Sequence, residues 1–255
     1  MAKLKHPLDN IVYEKQKPAE KIHEFVTVDW ENILPDPPAN SSQETQNELD
    51  EVVILNELQR SPVHVPIWKL TTGSRSSFSE EAFCMEKCIT GDWSDFIKRV
   101  DDNAWLIFDD FLSGGFSATE IKNLKKMVNK TWPIVRGVVV SLKRKHNRAR
   151  PEQLRSDINV ITTKTHQTPA YPSGHAAFGY VSAKVISLVH PSLKTKVEQV
   201  AKTVALARVV QGVHYPSDGF ASKVLVDKLW EDVGFKLFPE YYKSSTWLEK
   251  EWRKK

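Results

Sequence analysis

The sequence predicts an all-α protein built as one helical bundle. Three observations carry this. Apolar residues recur at three- and four-residue intervals through most of the chain. Helix punctuation stands where those windows end: a Ser117–Glu120 capping box, Pro191, and Gly212 after a long apolar run. Two-residue alternation is scarce, so little of the chain reads as strand. With 255 residues, 40% of them hydrophobic, the chain is long enough for one large core.

Residues 1–44 read as an irregular segment, because Leu34-Pro35-Asp36-Pro37-Pro38 lacks the amide donors a helix needs. Ser42–Arg60 reads as a helix with Leu49, Val52 and Val53 on one side, and Pro62 follows its end. Phe78–Ile89 reads as a shorter helix, with Cys84 and Cys88 on one face as reduced, structural thiols. Asp92–Leu112 reads as one or two helices closed by Gly114-Gly115. The capping box opens a helix carrying Ile121, Leu124, Met127 and Val128 to about Lys143, with a break or kink at Pro133. Ser173–Val189, Ser192–Gln211 and Pro216–Val233 follow as helices. The tail holds Trp247 and Trp252 and reads as a last amphipathic segment. The expected division is thus 1–44 irregular, 45–235 helical domain, 236–255 tail.

Several function classes drop out. No stretch approaches the roughly 18 apolar residues of a membrane helix; the best, Ile134–Leu142, is broken by Arg136, Gly137 and Ser141. A membrane-spanning enzyme or transporter is therefore not expected. Met1–Trp30 shows no apolar leader run, so a cytoplasmic location is the expectation. A net charge of +4 is too small to point to nucleic acid, although Lys143, Arg144, Lys145, His146, Arg148 and Arg150 form a local basic cluster. Two cysteines make neither a zinc site nor a disulfide framework.

Three short constellations carry chemistry. Lys143 is followed, after six residues, by Arg150-Pro151. Tyr171-Pro172-Ser173-Gly174-His175 opens a helix. Arg208 is followed after five residues by His214, and after three more by Asp218. Each has a plain reading: solvated surface, an N-cap serine, a structural histidine–carboxylate bond. Each also has a chemical one. Free amides at a helix start attract an oxyanion, and Gly174 lets it come close. Asp218 can fix the tautomer of His214 and raise its nucleophilicity. Helices 173–189 and 192–211 match in length as an antiparallel hairpin. That pairing brings Ser173, Gly174 and His175 near Arg208, His214 and Asp218. One further antiparallel packing adds Lys143 and Arg150. Three cations, a helix N-terminus and two histidines in one pocket suit a phosphate-like dianion or its five-coordinate transition state.

In this order and spacing, the three motifs resemble the signature of the PAP2 phosphatase/vanadium haloperoxidase superfamily, most closely its soluble class A non-specific acid phosphatases. The resemblance covers about residues 34–235. It implies a helical bundle with the site at one end, and a metal-independent phosphatase acting through a phosphohistidine. It implies His214 as nucleophile, Asp218 as its orienting carboxylate and His175 as general acid. Lys143, Arg150, Ser173, Gly174 and Arg208 would bind the phosphate. The implied partner is a small phosphorylated substrate, with no metal and no cofactor; homo-oligomerisation stays open. Vanadate would be an inhibitor, and a cofactor only under the alternative of a haloperoxidase. A peripheral lipid-phosphate or diphosphate phosphatase is the other alternative. Ala207 stands where the family often has serine.

Overall fold

The computed structural model describes residues 22–60, 62–70 and 83–242. Its architecture is helical, with one β-hairpin on the side. Helix α1 (Ile22–Phe25) and a 3-10 turn at Trp30–Asn32 lead into α2 (Gln43–Asn56), which Ser42 caps by accepting from the Thr45 amide. Strands β1 (Pro62–Leu70) and β2 (Phe83–Asp92) pair antiparallel, with Pro62 opposite Asp92 and Leu70 opposite Phe83. Then come α3 (Trp93–Asn103), α4 (Trp105–Ser113), α5 (Ala118–His146), α6 (Pro151–Leu154), α7 (Gly174–Val189), α8 (Lys194–Val210), α9 (Pro216–Leu237) and α10 (Pro239–Tyr242).

The hairpin is the main departure from expectation. Within Phe78–Ile89, residues 83 onward are strand rather than helix, and 78–82 lie outside the described residues. A short apolar run does not declare its period. Pairing with the facing strand Pro62–Leu70 decides it. Cys84 and Cys88 therefore stand on a strand, opposite Lys69 and Pro66, and not on a helical face.

The helices follow the punctuation more closely. Ser117 Oγ accepts from the Glu120 amide at 3.3 Å, and Glu120 Oε2 accepts from the Ser117 amide at 2.8 Å, closing the capping box of α5. This helix of 29 residues runs through Pro133 without a break. Pro133 is exposed, while Val128, Val135, Val138 and Leu142 bury the opposite face. Each such burial contributes about 1.5–3 kcal/mol, which offsets the cost of about 3 kcal/mol for an interior proline. Helices α7 and α8 form the expected hairpin. Gly179 permits the close approach: a Cβ there would sit 3.4 Å from Ala201 Cα.

Gly212 ends α8 with φ +86, and a Cβ on it would fall 2.5 Å from Ile158 Cγ2. Only glycine fits that turn.

Both outer segments join the core within the described residues. Val26, Ile33 and Leu34 are buried, and Asp232 on α9 accepts from Thr27 N at 2.7 Å, Thr27 Oγ1 at 2.7 Å and Val28 N at 3.1 Å. The segment from 24 to 34 is thus a strap over α9. At the other end α9 continues two residues past 235; Trp247 and Trp252 lie outside the described residues. Among the described residues, no helix is long and apolar enough to cross a membrane.

Candidate active site

Four chain ends converge at one end of the bundle. The last turn of α5 delivers Lys143, and Asn147, left-handed at φ 43, stops the helix. The extended stretch that follows places Arg148 and Arg150 before α6. Helix α7 starts there, α8 ends there with Arg208, and the Gly212 turn carries His214 to the first turn of α9. A cavity of about 320 Å³ opens at this junction. Lys143, Arg150, Gly174, His175, Arg208 and His214 all line it.

The other two expected site residues stand behind the wall. Asp218 is fully buried, and its Oδ2 accepts from His214 Nδ1 at 2.9 Å and from the Tyr215 amide at 3.0 Å. Ser173 is buried as the N-cap of α7, its hydroxyl facing the Ala176 amide at 3.5 Å, so the plain reading of that serine describes its geometry. Ser173 also ties two elements together. Its amide donates to Asp218 O at 3.2 Å, and its carbonyl accepts from Ser222 Oγ at 2.8 Å. The start of α7 is thereby locked to α9.

Lys143 and Arg150 are held by carbonyls rather than by acids. Lys143 Nζ donates to Pro169 O and, at 3.2 Å, to Ala170 O. Arg150 donates through Nε to Thr168 O and through Nη1 to Val213 O, both at 2.6 Å. Carbonyls orient these groups without cancelling their charge. Arg208 Nη1 donates to Asp101 Oδ1 at 3.0 Å, while Arg208 Nε is buried without a partner. A buried unsatisfied guanidinium N–H beside a cavity marks a place where an acceptor fits.

Two residues at the heart of this arrangement escaped the sequence motifs. Arg148 is fully buried and donates to Asp218 Oδ1 at 2.8 Å, Glu48 Oε2 at 2.6 Å and Ser217 Oγ at 2.7 Å. Its guanidinium lies 3.7 Å from the centre of the Tyr215 ring. Its place in a basic run suggested solvated surface; the buried Asp218 and half-buried Glu48 carboxylates draw it inward. Asp101 on α3 receives Arg208, the Thr165 hydroxyl and, at 3.1 Å, the Lys164 amide; its carboxylate lies 3.9 Å from His175 Nε2. No local pattern in the sequence announces it.

Burial and the neighbouring cations set the protonation states. Burial, then Arg150, Lys143 and Arg208, hold His214 well below the usual imidazole value. Burial and then Arg208 push His175 down to about 3, against the pull of Asp101. Both shifts favour the neutral imidazole, in contrast to the near-neutral titration of an unperturbed histidine. Burial raises the Asp218 carboxyl, and Arg148, the Tyr215 amide and Lys143 pull it back toward ionisation. Burial also lowers Lys143 well below its ordinary range, helped by Arg150, and lowers Arg208 to about 10.

The arrangement supplies a neutral imidazole oriented by a buried carboxylate, a cradle of cations, and a second imidazole across the cavity. Among the described residues, no cluster of three histidine, cysteine or acidic side chains is placed to hold a metal ion.

Comparison with known proteins follows the same stretch. Residues 133–226 match the family model of the PAP2 superfamily, and the match contains all eight motif residues from Lys143 to Asp218. A non-specific acid phosphatase of Providencia stuartii is 32% identical over 88 residues, which is 33% of this chain and 36% of that protein. The aligned part is thus about a third of the curated relative. Among solved structures, a bacterial vanadium-dependent iodoperoxidase overlays with a TM-score of 0.45 at 15% identity, covering 85% of this chain and 60% of that one. A transmembrane PAP2-type phosphatidylglycerolphosphate phosphatase from Bacillus subtilis overlays with a TM-score of 0.40 at 17% identity, covering 82% and 91%.

Proposed function

We propose that this chain is a phosphatase of the PAP2 type that hydrolyses phosphomonoesters through a phosphohistidine at His214, without a metal ion. The observation that carries the reading is the line Arg148–Asp218–His214 running into a cationic cavity. With Nδ1–H donated to Asp218, the lone pair of His214 sits on Nε2, the ring nitrogen left for attack. Lys143, Arg150, Arg208 and the amides at the start of α7 would spread the charge of the three equatorial oxygens.

The first step forms the Nε2–P bond and breaks the P–O bond to the leaving group, whose oxygen takes a proton from His175. In the second, water attacks phosphorus and gives its proton to His175, releasing orthophosphate and free His214. Burial and Arg208 favour the neutral ring of His175, so the proton it donates is taken up from solvent as the substrate binds. A phosphate dianion offsets the field of Arg208 and Arg150 that keeps the ring deprotonated.

The test is orthophosphate release by the purified chain over a panel of phosphomonoesters in EDTA, with an acid-labile, base-stable phosphoenzyme trapped by quenching. Release is expected to survive EDTA and to vanish in His214→Ala. A requirement for added Mg²⁺ or Zn²⁺, or more than a few per cent of activity in His214→Ala, would overturn the mechanism. Bromide oxidation by the vanadate-loaded protein at a rate rivalling phosphate release would establish the haloperoxidase alternative instead.

A further inference from the structure

The cavity is larger than a phosphate requires. At about 320 Å³ it holds roughly ten waters' worth of space, taking about 30 Å³ for each. Its phosphate-binding groups occupy one end. Part of the remaining wall, facing polar residues that include the end of α3, is apolar and aromatic: Ala104, Trp132, Val139 and Val140, and Phe178, one turn beyond His175. Trp132 and Phe178 meet edge to face, with centroids 5.3 Å apart. Such a sleeve takes a flat or apolar group.

One side chain in this lining is out of keeping with the rest. Arg136 lines the cavity on the same face of α5 as Trp132 and Lys143. It stands two helical turns from Lys143, about 10 Å along the axis. It is exposed, and it makes no hydrogen bond or ion pair among the described residues. Asp102, on the facing wall, lies 3.5 Å from Lys164. Along α5 the lining therefore runs from the cationic cradle at Lys143, past Val139 and Val140, to Arg136 and, one turn further on, Trp132.

We propose that Arg136 anchors a second anionic group of the substrate. The preferred substrates would be phosphomonoesters whose aromatic or apolar leaving group ends in an anion at least one ring-length from phosphorus. The inference rests on the proposed function only in seating the phosphoryl group at the Lys143 end.

Two non-hydrolysable probes test it: benzylphosphonate and 4-carboxybenzylphosphonate, titrated calorimetrically into the full chain. The wild-type protein is expected to bind the carboxylate probe about three- to fivefold tighter, the range of an exposed ion pair. That preference should fade as salt approaches 1 M, where the screening length is about 3 Å. Arg136→Gln should bring the affinity ratio to one, and Arg136→Glu should invert it. Arg136 is exposed, so neither change threatens the fold, and circular dichroism of both variants is the check. Equal affinity for both probes in the wild type, or an unchanged ratio in either variant, overturns the proposal. Failure of both probes to bind overturns it together with the proposed function. A preserved, Arg136-dependent ratio in a protein that releases no phosphate overturns the proposed function alone.

Discussion

Replacing Asp101 by Asn separates binding from proton transfer. The Asp101 carboxylate lies 3.9 Å from His175 Nε2 and 3.0 Å from Arg208 Nη1. At an effective dielectric constant near 20, a unit charge at that first distance is worth about 4 kcal/mol to an imidazolium, or roughly three pKa units. That is a ceiling, because Arg208 shares the same oxygen; a residual shift of about one to two units is the working expectation. Asn keeps the acceptor for Arg208 and Thr165 but presents an amide to the Lys164 N–H, at a cost of about 1 kcal/mol in stability. Two effects of opposite sign follow. The cavity gains positive charge, so orthophosphate should inhibit more strongly. His175 becomes harder to protonate, so the alkaline limb of the kcat profile, where the acid loses its proton, should move down by about one to two pH units. Alkyl phosphates, whose leaving oxygen needs that proton, should slow at least tenfold. Nitrophenyl phosphate, with its stable leaving group, should slow far less. The assay is kcat against pH for both esters, with phosphate inhibition constants at each pH. An alkaline limb that stays in place in a folded Asp101→Asn protein would refute the coupling of Asp101 to His175.

Three further outcomes are expected. A Cβ on Gly174 meets nothing within 4 Å, so Gly174→Ala should leave the melting temperature unchanged or slightly raised. The methyl would stand in the cavity at the phosphate amides and should weaken orthophosphate inhibition about tenfold; equal inhibition in the variant would remove Gly174 from the binding surface. Arg148→Met strands the Asp218 and Glu48 carboxylates, so urea titration should show a loss of about 3–5 kcal/mol; a loss below 1 kcal/mol would mean the pairs contribute nothing net. Stability should also fall with acid. His175 and His214 stay neutral in the fold while the unfolded chain takes up their protons below about pH 6.5. The unfolded state then binds more protons, and stability drops by up to about 1.4 kcal/mol per pH unit for each ring. For His175 this continues to about pH 3. Saturating orthophosphate should flatten the slope between pH 7 and 5 by restoring the proton of His175, and urea midpoints with and without it are the check.

What could be read from the sequence was what is encoded locally. The capping box at Ser117, the glycine after α8 and the Ser173 cap are each decided by side chains within three or four residues of the backbone groups they serve. The helical hairpin followed from two lengths and one proline, and with it the meeting of Gly174, His175, Arg208 and His214. The β-hairpin was missed because Phe83–Asp92 becomes a strand only through its partner, at least thirteen residues away in sequence. Asp101 and Arg148 belong to the same class. Arg148 pairs with Glu48 at a separation of 100 residues, and Asp101 with Arg208 at 107. A single carboxylate or guanidinium carries no period and no cap, so nothing nearby marks it as buried. Their positions also account for the division of labour in the site. Six of the motif residues line the cavity, where a change of type would alter the chemistry, and Ser173 and Asp218 stand directly behind them. Asp101 at the cavity wall and Arg148 one layer out set the charge of those residues, acting on His175 through 3.9 Å of space and on His214 through the Asp218 carboxylate. A motif therefore names the groups that would touch phosphate, while the protonation states that would let them react depend on partners that only the folded chain supplies.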